Sequence, residues 1–333
     1  MRLRSTVRGA ALAACVLLVA AGGMAGGTAR AQSDAAEWPN RPVRIVMPNA
    51  PGSSIDTVGR IVSARLQELL GQSMVIENKA GASGAIGMEA VKVAPPDGYT
   101  LAVGSASSMS VAPLVQKKVP YDPLRDFAFV SLVAVMPNVL VVTPSLPVKN
   151  VRELIEYARA NPGKVNMASA GIGAASHLAG VLLQSMANFE ALHVPYKGGS
   201  PSAAAVVAGE SQFSITPAPA VMGLVKGGRL RALGHSLGRR TPLLDMPSIS
   251  ETVAGYDYNG WAGLVAPRGT SRAVVDKLRF TLAKVVELPA VKEALGAQGA
   301  EATISTPEDF RTFLERDLAN NARVVRSANI QPE

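Results

Sequence analysis

Cysteine is almost absent from this 333-residue chain: Cys15 is the only one. No disulfide can form within the molecule, so its stability has to come from an ordinary hydrophobic core, which a chain of this length buries easily. Histidine is nearly as scarce. His177, His193 and His235 are the whole set, with no HxxxH or HxH spacing and no thiolates to help them, which excludes a zinc site of the usual composition. Aromatic residues make up 5% of the chain, and there is no run of five Lys/Arg. That argues against a stacking platform for single-stranded nucleic acid, which needs both features. Motifs of chemistry are missing too: no GxSxG elbow, no GxxxxGK[ST] loop, no HExxH and no prominent acidic pair. Beyond the N-terminus, no apolar stretch reaches the roughly 20 residues that a membrane-spanning helix needs.

The N-terminus itself is informative. Arg2, Arg4 and Arg8 precede an apolar run from Ala10 to Ala21, and Ala29-Arg30-Ala31 supplies a small-x-small cleavage site. Residues 1–31 therefore read as a cleaved export signal, which implies a periplasmic protein starting near Gln32. Leu12-Ala13-Ala14-Cys15 resembles a lipoprotein box, but too few apolar residues precede Cys15. Removing residues 1–31 takes away four arginines and no acid, lowering the formal net charge from +8 to +4. The remaining excess is dispersed and marks no polyanion partner.

Past residue 38 the chain alternates short apolar strands, glycine-rich loops and amphipathic helices. Val43–Met47 reads as a strand. Ile55, Val58, Ile61, Val62, Leu66, Leu69 and Leu70 then recur at helical spacing, with Gly71 as a C-terminal stop. Met74–Glu77, Tyr99–Val103, Val165–Ala168 and Leu192–Tyr196 read as further strands. Helices are expected at 86–93, after the Asn150/Glu153 cap, at 177–186, at 201–208 with Ser200 as cap and Pro201 in first position, and after the Thr306/Asp309 cap. This alternation predicts an α/β fold with mainly parallel sheets flanked by helices. Phe129–Thr143 is apolar apart from Ser131 and Asn138 and reads as one passage between two domains, with 256–267 as the return. The expected division is 38–138 plus 260–333 for a discontinuous first domain and 139–259 for the second.

In such sheets ligands bind beyond the carboxyl ends of the strands. The loop Gly52-Ser53-Ser54-Ile55-Asp56 offers a glycine for close approach, two hydroxyls and a helix start capped in the pattern S-x-x-D. Free N–H groups there suit a carboxylate or phosphate, although an ordinary capped helix reads the same way. Ser169-Ala170-Gly171-Ile172-Gly173, followed by Ser176 and His177, is its counterpart in the second half. It lacks the third glycine of a dinucleotide fingerprint, and Glu190 precedes the next strand where the fingerprint's acid should end it. His177 could bond a ligand or cap its helix. Lys197-Gly198 follows a strand and could present a charge. Ser105 and Ser108 add hydroxyls after another strand. Small polar loops without a reaction centre suit binding better than catalysis, and no cofactor is implied.

These loops carry a resemblance. Trp38-Pro39-Asn40-Arg41-Pro42, Pro51-Gly52-Ser53-Ser54-Ile55-Asp56, Glu77-Asn78-Lys79-Ala80-Gly81, Pro96-Asp97-Gly98-Tyr99-Thr100, Pro120-Tyr121-Asp122-Pro123, Ser169-Ala170-Gly171-Ile172-Gly173, His193-Val194-Pro195-Tyr196-Lys197-Gly198 and Ala266-Pro267 occur in order. Together they resemble the substrate-binding proteins of tripartite tricarboxylate transporters, the Bug family, over about 38–333. The resemblance implies a two-domain periplasmic-binding-protein fold of the type II, flytrap kind. It implies no enzyme activity, a small carboxylate ligand (di- or tricarboxylate, acidic amino acid or aromatic acid) in the interdomain cleft, and membrane transporter components as partners. Gly52 to Asp56 would hold a carboxylate from one domain and Ser169 to Gly173 would approach from the other. The chain departs from the family pattern at Ser53, where a second glycine is usual, and at Lys79-Ala80, where Arg-Pro is common. Two other readings are an exported α/β hydrolase using Ser53, Ser54 or Ser176 with His177, and a receptor that signals to a sensor protein without transport.

Overall fold

A computed structural model describes residues 37–196, 198–327 and 330–331. The export signal at 1–31 and Lys197 lie outside the described residues. The elements run β1 (Val43–Met47), α1 (Ser54–Leu70), β2 (Met74–Asn78), α2 (Ala85–Lys92), β3 (Thr100–Ser105), α3 (Ala112–Val115), β4 (Phe127–Met136), β5 (Asn138–Val142), α4 (Val151–Ala160), β6 (Asn166–Ser169), α5 (Ala175–Ala187), β7 (Leu192–Pro195), α6 (Gly199–Ala208), β8 (Phe213–Pro217), α7 (Ala218–Lys226), β9 (Arg231–His235), β10 (Gly260–Pro267), α8 (Arg272–Glu287), α9 (Pro289–Ala297), β11 (Glu301–Ala302) and α10 (Pro307–Ser327).

They form two sheets, ordered β11-β4-β10-β3-β1-β2 and β7-β6-β8-β5-β9. Both faces of the first sheet are buried, and the period of two in its strands divides them. Ile45, Leu101 and Leu264 pack with α1 and α8, whereas Val46, Ala102 and Val265 pack with α2 and α10. The second sheet repeats this. Leu140, Met167 and Ile215 face α4 and α5, while Val139, Val141 and Ala168 face α6 and α7. Each large side chain so buried contributes roughly 1.5–3 kcal/mol.

Most strands of each sheet run one way, β1 to β4 in the first and β6 to β9 in the second, with β10, β11 and β5 reversed among them. β1 pairs in parallel with β2 and β3, and β6 with β7 and β8. β10 runs antiparallel to β3 and β4, β11 to β4, and β5 to β8 and β9. The reason is the crossings. β4 belongs to the first sheet and β5, one residue later, to the second, while β10 re-enters the first sheet from the opposite end. A strand that arrives from the other sheet runs against the βαβ units already there. Asn138 ties the two crossings: its N–H donates to Ser236 Oγ (2.8 Å) and its side chain to the Tyr258 carbonyl (2.8 Å). The helix α10 makes a third link. Phe310 and Leu314 sit in the core of the first sheet, whereas Val324 and Val325 join the core of the second.

Helix boundaries follow local chemistry. Gly71 ends α1 in the left-handed region (φ 68°), its N–H returning to Gln67 O. Asn150 caps α4 through the Glu153 N–H, and Thr306 caps α10 through that of Asp309. The expected start of α6 at Pro201 is corrected. The helix begins at Gly199, and its cap is Gly198, at φ 114°, with no side-chain bond. A glycine there lets the chain turn into the helix two residues early.

Candidate functional site

The loops after β1, β2 and β3 pack on one another at the carboxyl edge of the first sheet. A Cβ on Gly84 would lie 2.7 Å from Ser108 Cβ and 3.1 Å from Pro48 O, so glycine is required where the three loops meet. Ser107 Oγ donates to Ser83 O (3.1 Å). Ser105 and Ser108 are buried under this junction. Their hydroxyls lie 3.2 Å apart, each accepting the other's N–H in a capping box.

Gly52 adopts φ 76°, and its N–H donates to Asp56 Oδ2 (2.9 Å). Ser53 Oγ accepts the Asp56 N–H (3.3 Å), so the predicted S-x-x-D cap is present. Asp56 is 2% exposed. Its carboxylate also accepts Arg60 Nε (2.9 Å) and Asn78 Nδ2 (2.8 Å), and Asn78 Nδ2 reaches Asn49 O as well (3.0 Å). Burial pushes the Asp56 carboxyl up, but the bonds from Arg60, Asn78 and Gly52 outweigh it and hold the group below the ordinary carboxylate range. Asp56 is thus committed to the frame of its own loop. The N–H groups of Ser54 and Ile55, at the first turn of α1, have no acceptor among the described residues and are the loop's remaining donors. Lys79 Nζ is held by Glu77 Oε1 (2.9 Å).

In the second sheet the bend after β6 is held by side chains from three elements. Ser169 Oγ accepts the Gly171 N–H (3.1 Å) and lies 2.6 Å from His193 Nε2 on β7. The Ala170 N–H donates to Ser176 Oγ (2.9 Å) and the Gly173 N–H to His177 Nδ1 (3.1 Å). Gly171 and Gly173 take φ 130° and 72°, a sequence of left-handed bends that only glycine adopts at low cost. The His177 and His193 rings stack at 3.7 Å, 9° from parallel. Burial, and secondarily the His193 neighbour, push His177 down to about 4; burial lowers His193. The Gly198 N–H donates to Ala170 O (3.2 Å), joining the loop after β7 to the same bend. The start of α5 has no side-chain cap.

The bends of the two sheets face one another. A Cβ on Gly173 would lie 3.8 Å from Val115. A cavity of about 400 Å³ is lined by Ala82, Ser83, Val115 and Gln116 from one side and Ile172 and Gly173 from the other, a size suited to a small molecule. Of the sequence-predicted residues, Ala170, Gly171, Gly173, His177 and Gly198 gather around the second bend. Gly52, Ser53 and Ser54 form the separate helix start on the first side, outside the lining of this cavity. Asp56, Ser105, Ser108 and Ser169 lie beneath the surface as framework. Ile172, 64% exposed, lies within the expected loop Ser169 to Gly173 without being named as a contact, and Ser83, Gln116 and His193 were not named as site residues. An apolar residue between two glycines was the one available signal, at Ile172. A larger cavity, about 510 Å³, lies by the crossings between Arg239, Asp257 and Asp317 and shares no residue with the bends.

This arrangement can hold an anion by dipoles but is not set for hydrolysis. Ser176 is bonded to Ala170, not to His177. Ser169 does meet a histidine, but it is fully buried and already holds both polar groups of Gly171. Among the described residues no cluster of three His, Cys, Asp or Glu could hold a metal ion, and no helix is long and apolar enough to cross a membrane.

Residues 58–330 match the family model of the tripartite tricarboxylate transporter family receptor. Protein BugT of Bordetella pertussis is 34% identical over 294 residues, covering 87% of this chain and 90% of BugT. The R. palustris protein Rpa4515, solved with adipate, is 36% identical with a TM-score of 0.79, covering 89% of this chain and 100% of that one. MatC of Rhodopseudomonas palustris, solved with bound malate, is 29% identical with a TM-score of 0.72, covering 86% and 100%.

Proposed function

Because the chain belongs to the tripartite tricarboxylate transporter receptor family, we propose that it captures a small aliphatic dicarboxylate between two lobes and delivers it to membrane components of such a transporter. The lobes comprise 38–138 with 260–333, and 139–259, with the last turns of α10 reaching into the core of the second. The observation that carries this reading is a cavity of about 400 Å³ between the Ala82–Ser83 bend of the first sheet and the Ile172–Gly173 bend of the second, with the start of α1 outside its lining. The adipate and malate of the related structures fit its chemistry.

One carboxylate bonds to the Ser54 and Ile55 N–H groups at the start of α1, with Ser53 and Ser54 beside them. The second lobe supplies the uncapped first turn of α5 and, from the bend, the Ile172 N–H, since those of Ala170, Gly171 and Gly173 are bonded within the protein. Helix starts favour negative charge through their oriented dipoles. Lys79 is engaged by Glu77, so Lys118, which lines the cavity, is the cation that can assist the neutral donors and bridging water. The apolar walls, Val115 and Ile172, suit the methylene chain of a linear diacid. Contacts to both lobes exist together only when the lobes close, and ligand therefore shifts the open–closed equilibrium. The N-terminal Arg2/Arg4/Arg8 leader supports a periplasmic location.

Thermal unfolding against adipate, malate, glutamate, benzoate and neutral sugars tests the reading. A ligand at 100 times its Kd adds about 2.7 kcal/mol to stability. A rise in Tm with a dicarboxylate is the expected result. A rise with sugars and none with any acid would end it.

A further inference from the structure

We propose that the stacked pair His177–His193 is a positioning device that sets the ligand-facing bend 170–173, one ring for each glycine. The inference rests on the receptor reading only in taking this bend as part of the ligand site.

His177 stands in the first turn of α5 and His193 in the strand β7, so only the tertiary fold brings the rings to 3.7 Å. Each ring ends on a different glycine. His177 Nδ1 accepts the Gly173 N–H directly (3.1 Å). His193 Nε2 contacts Ser169 Oγ (2.6 Å), which in turn accepts the Gly171 N–H (3.1 Å). The N–H groups of both glycines are thereby aimed into the protein, and the residue between them, Ile172, is turned out to the cavity it shares with Ala82 and Ser83.

The arrangement requires a defined protonation state. Nδ1 of His177 can accept an N–H only if it carries no proton, so the neutral ring bears its hydrogen on Nε2. Parallel rings this close cannot both be cationic without strong repulsion. Burial of both rings acts the same way. A leucine or phenylalanine at 177 would fill the same space against His193 without accepting a bond. The histidine is needed for its nitrogen, not for its bulk.

The substitutions His177→Phe, which keeps a ring and removes the acceptor, and His177→Asn, whose Oδ1 falls where Nδ1 stood, separate the two roles. His193→Phe is the companion for Gly171. Amide hydrogen exchange by NMR on the ligand-free protein reads the bend directly. In His177→Phe the Gly173 amide should exchange at least tenfold faster while His177→Asn restores its protection, and in His193→Phe the change should move to Gly171. The imidazole nitrogen shifts of the wild type should report the Nε2–H form of His177 at pH 7. Adipate affinity by calorimetry should weaken roughly tenfold or more in His177→Phe and recover in His177→Asn. Unchanged Gly173 protection in His177→Phe, or an asparagine variant indistinguishable from the phenylalanine one, overturns the proposal. If His177→Phe does not fold, His177→Asn and His193→Phe decide by the same exchange measurement. Wild type that binds no carboxylate would count against the receptor reading, while the exchange data still decide this one.

Discussion

Replacing Asp56 by alanine should loosen the first bend before it threatens the fold. The carboxylate is almost fully buried and takes three donors: the Gly52 N–H, Arg60 Nε and Asn78 Nδ2. Arg60 is about half exposed and can turn to water at little cost. The Asn78 donor is half-buried and is left short of an acceptor at about 1–3 kcal/mol, whereas Gly52 is exposed and its N–H can turn to water. For a chain of this size 1 kcal/mol moves Tm by about 2–4 °C, so Asp56→Ala should melt some 2–12 °C below wild type. Asp56→Asn keeps one acceptor oxygen and should fall between the two. Because the folded pKa of Asp56 lies below its ordinary value, its contribution is present above the unfolded pKa and is lost as pH falls through the folded one. The gap between wild type and alanine variant should therefore close below about pH 4. Adipate affinity, measured by calorimetry well below either melting point, should drop at least tenfold, since Gly52 through Ile55 lose their frame. An alanine variant that melts within a degree of wild type and binds equally well would refute both the magnitude and the placement of this loop.

The histidines predict a second pH effect. His177 is held near 4 against an ordinary 6.5, and His193 and His235 are lowered in the same sense. Groups of depressed pKa lend stability that is complete above the unfolded value and declines below it, so urea midpoints should fall steadily from pH 6.5 toward 4. His177 alone accounts for about 3 kcal/mol of that fall, and a flat profile would contradict the burial of these rings. Gly52→Val places a branched side chain at φ 76° with no protein atom within 4 Å of its Cβ. It should cost about 1–3 kcal/mol in backbone strain and weaken acid binding more than it weakens the fold; unchanged affinity by calorimetry would remove Gly52 from the site. Arg239, after β9 of the second sheet, makes a bidentate pair with Glu301 on β11 of the first. With the arginine largely exposed, Arg239→Ala should change stability by less than about 1 kcal/mol while broadening the interlobe distance distribution seen by small-angle scattering or spin labels, and a distribution identical to wild type would show that the pair does not restrain the lobes.

Much of the fold was legible because its signals are local. Val43–Met47 is a run of strand length, apolar but for Arg44, between Pro42 and Pro48. Asn150 with Glu153, and Thr306 with Asp309, announce helix starts by a contact three residues long. Gly71 announces an end. The direction of a crossing strand was not legible, since whether β10 runs with or against β3 depends on where the chain re-enters the first sheet, not on the composition of Gly260–Pro267. The start of α6 was misplaced because Pro201 is a strong signal for a first helical position, whereas the real start depends on the left-handed freedom of Gly198. At the site, the glycine bends declared themselves by composition. The commitment of Asp56 to Asn78, and the meeting of His177 with His193, did not, because each joins residues from separate elements whose proximity exists only after folding; the Asp56–Arg60 pair, four residues apart on α1, is local.

The C-terminal helix α10 has one further consequence. Its first turns are planted in the core of the first sheet and its last turns in that of the second, so it works as a dowel through both halves. Neither half can melt without pulling on the other, and calorimetry should record one endotherm where a freely jointed pair would give two. The same dowel limits how the molecule breathes: any swing of the lobes must either pivot about this rod or unseat its Val324–Val325 tip.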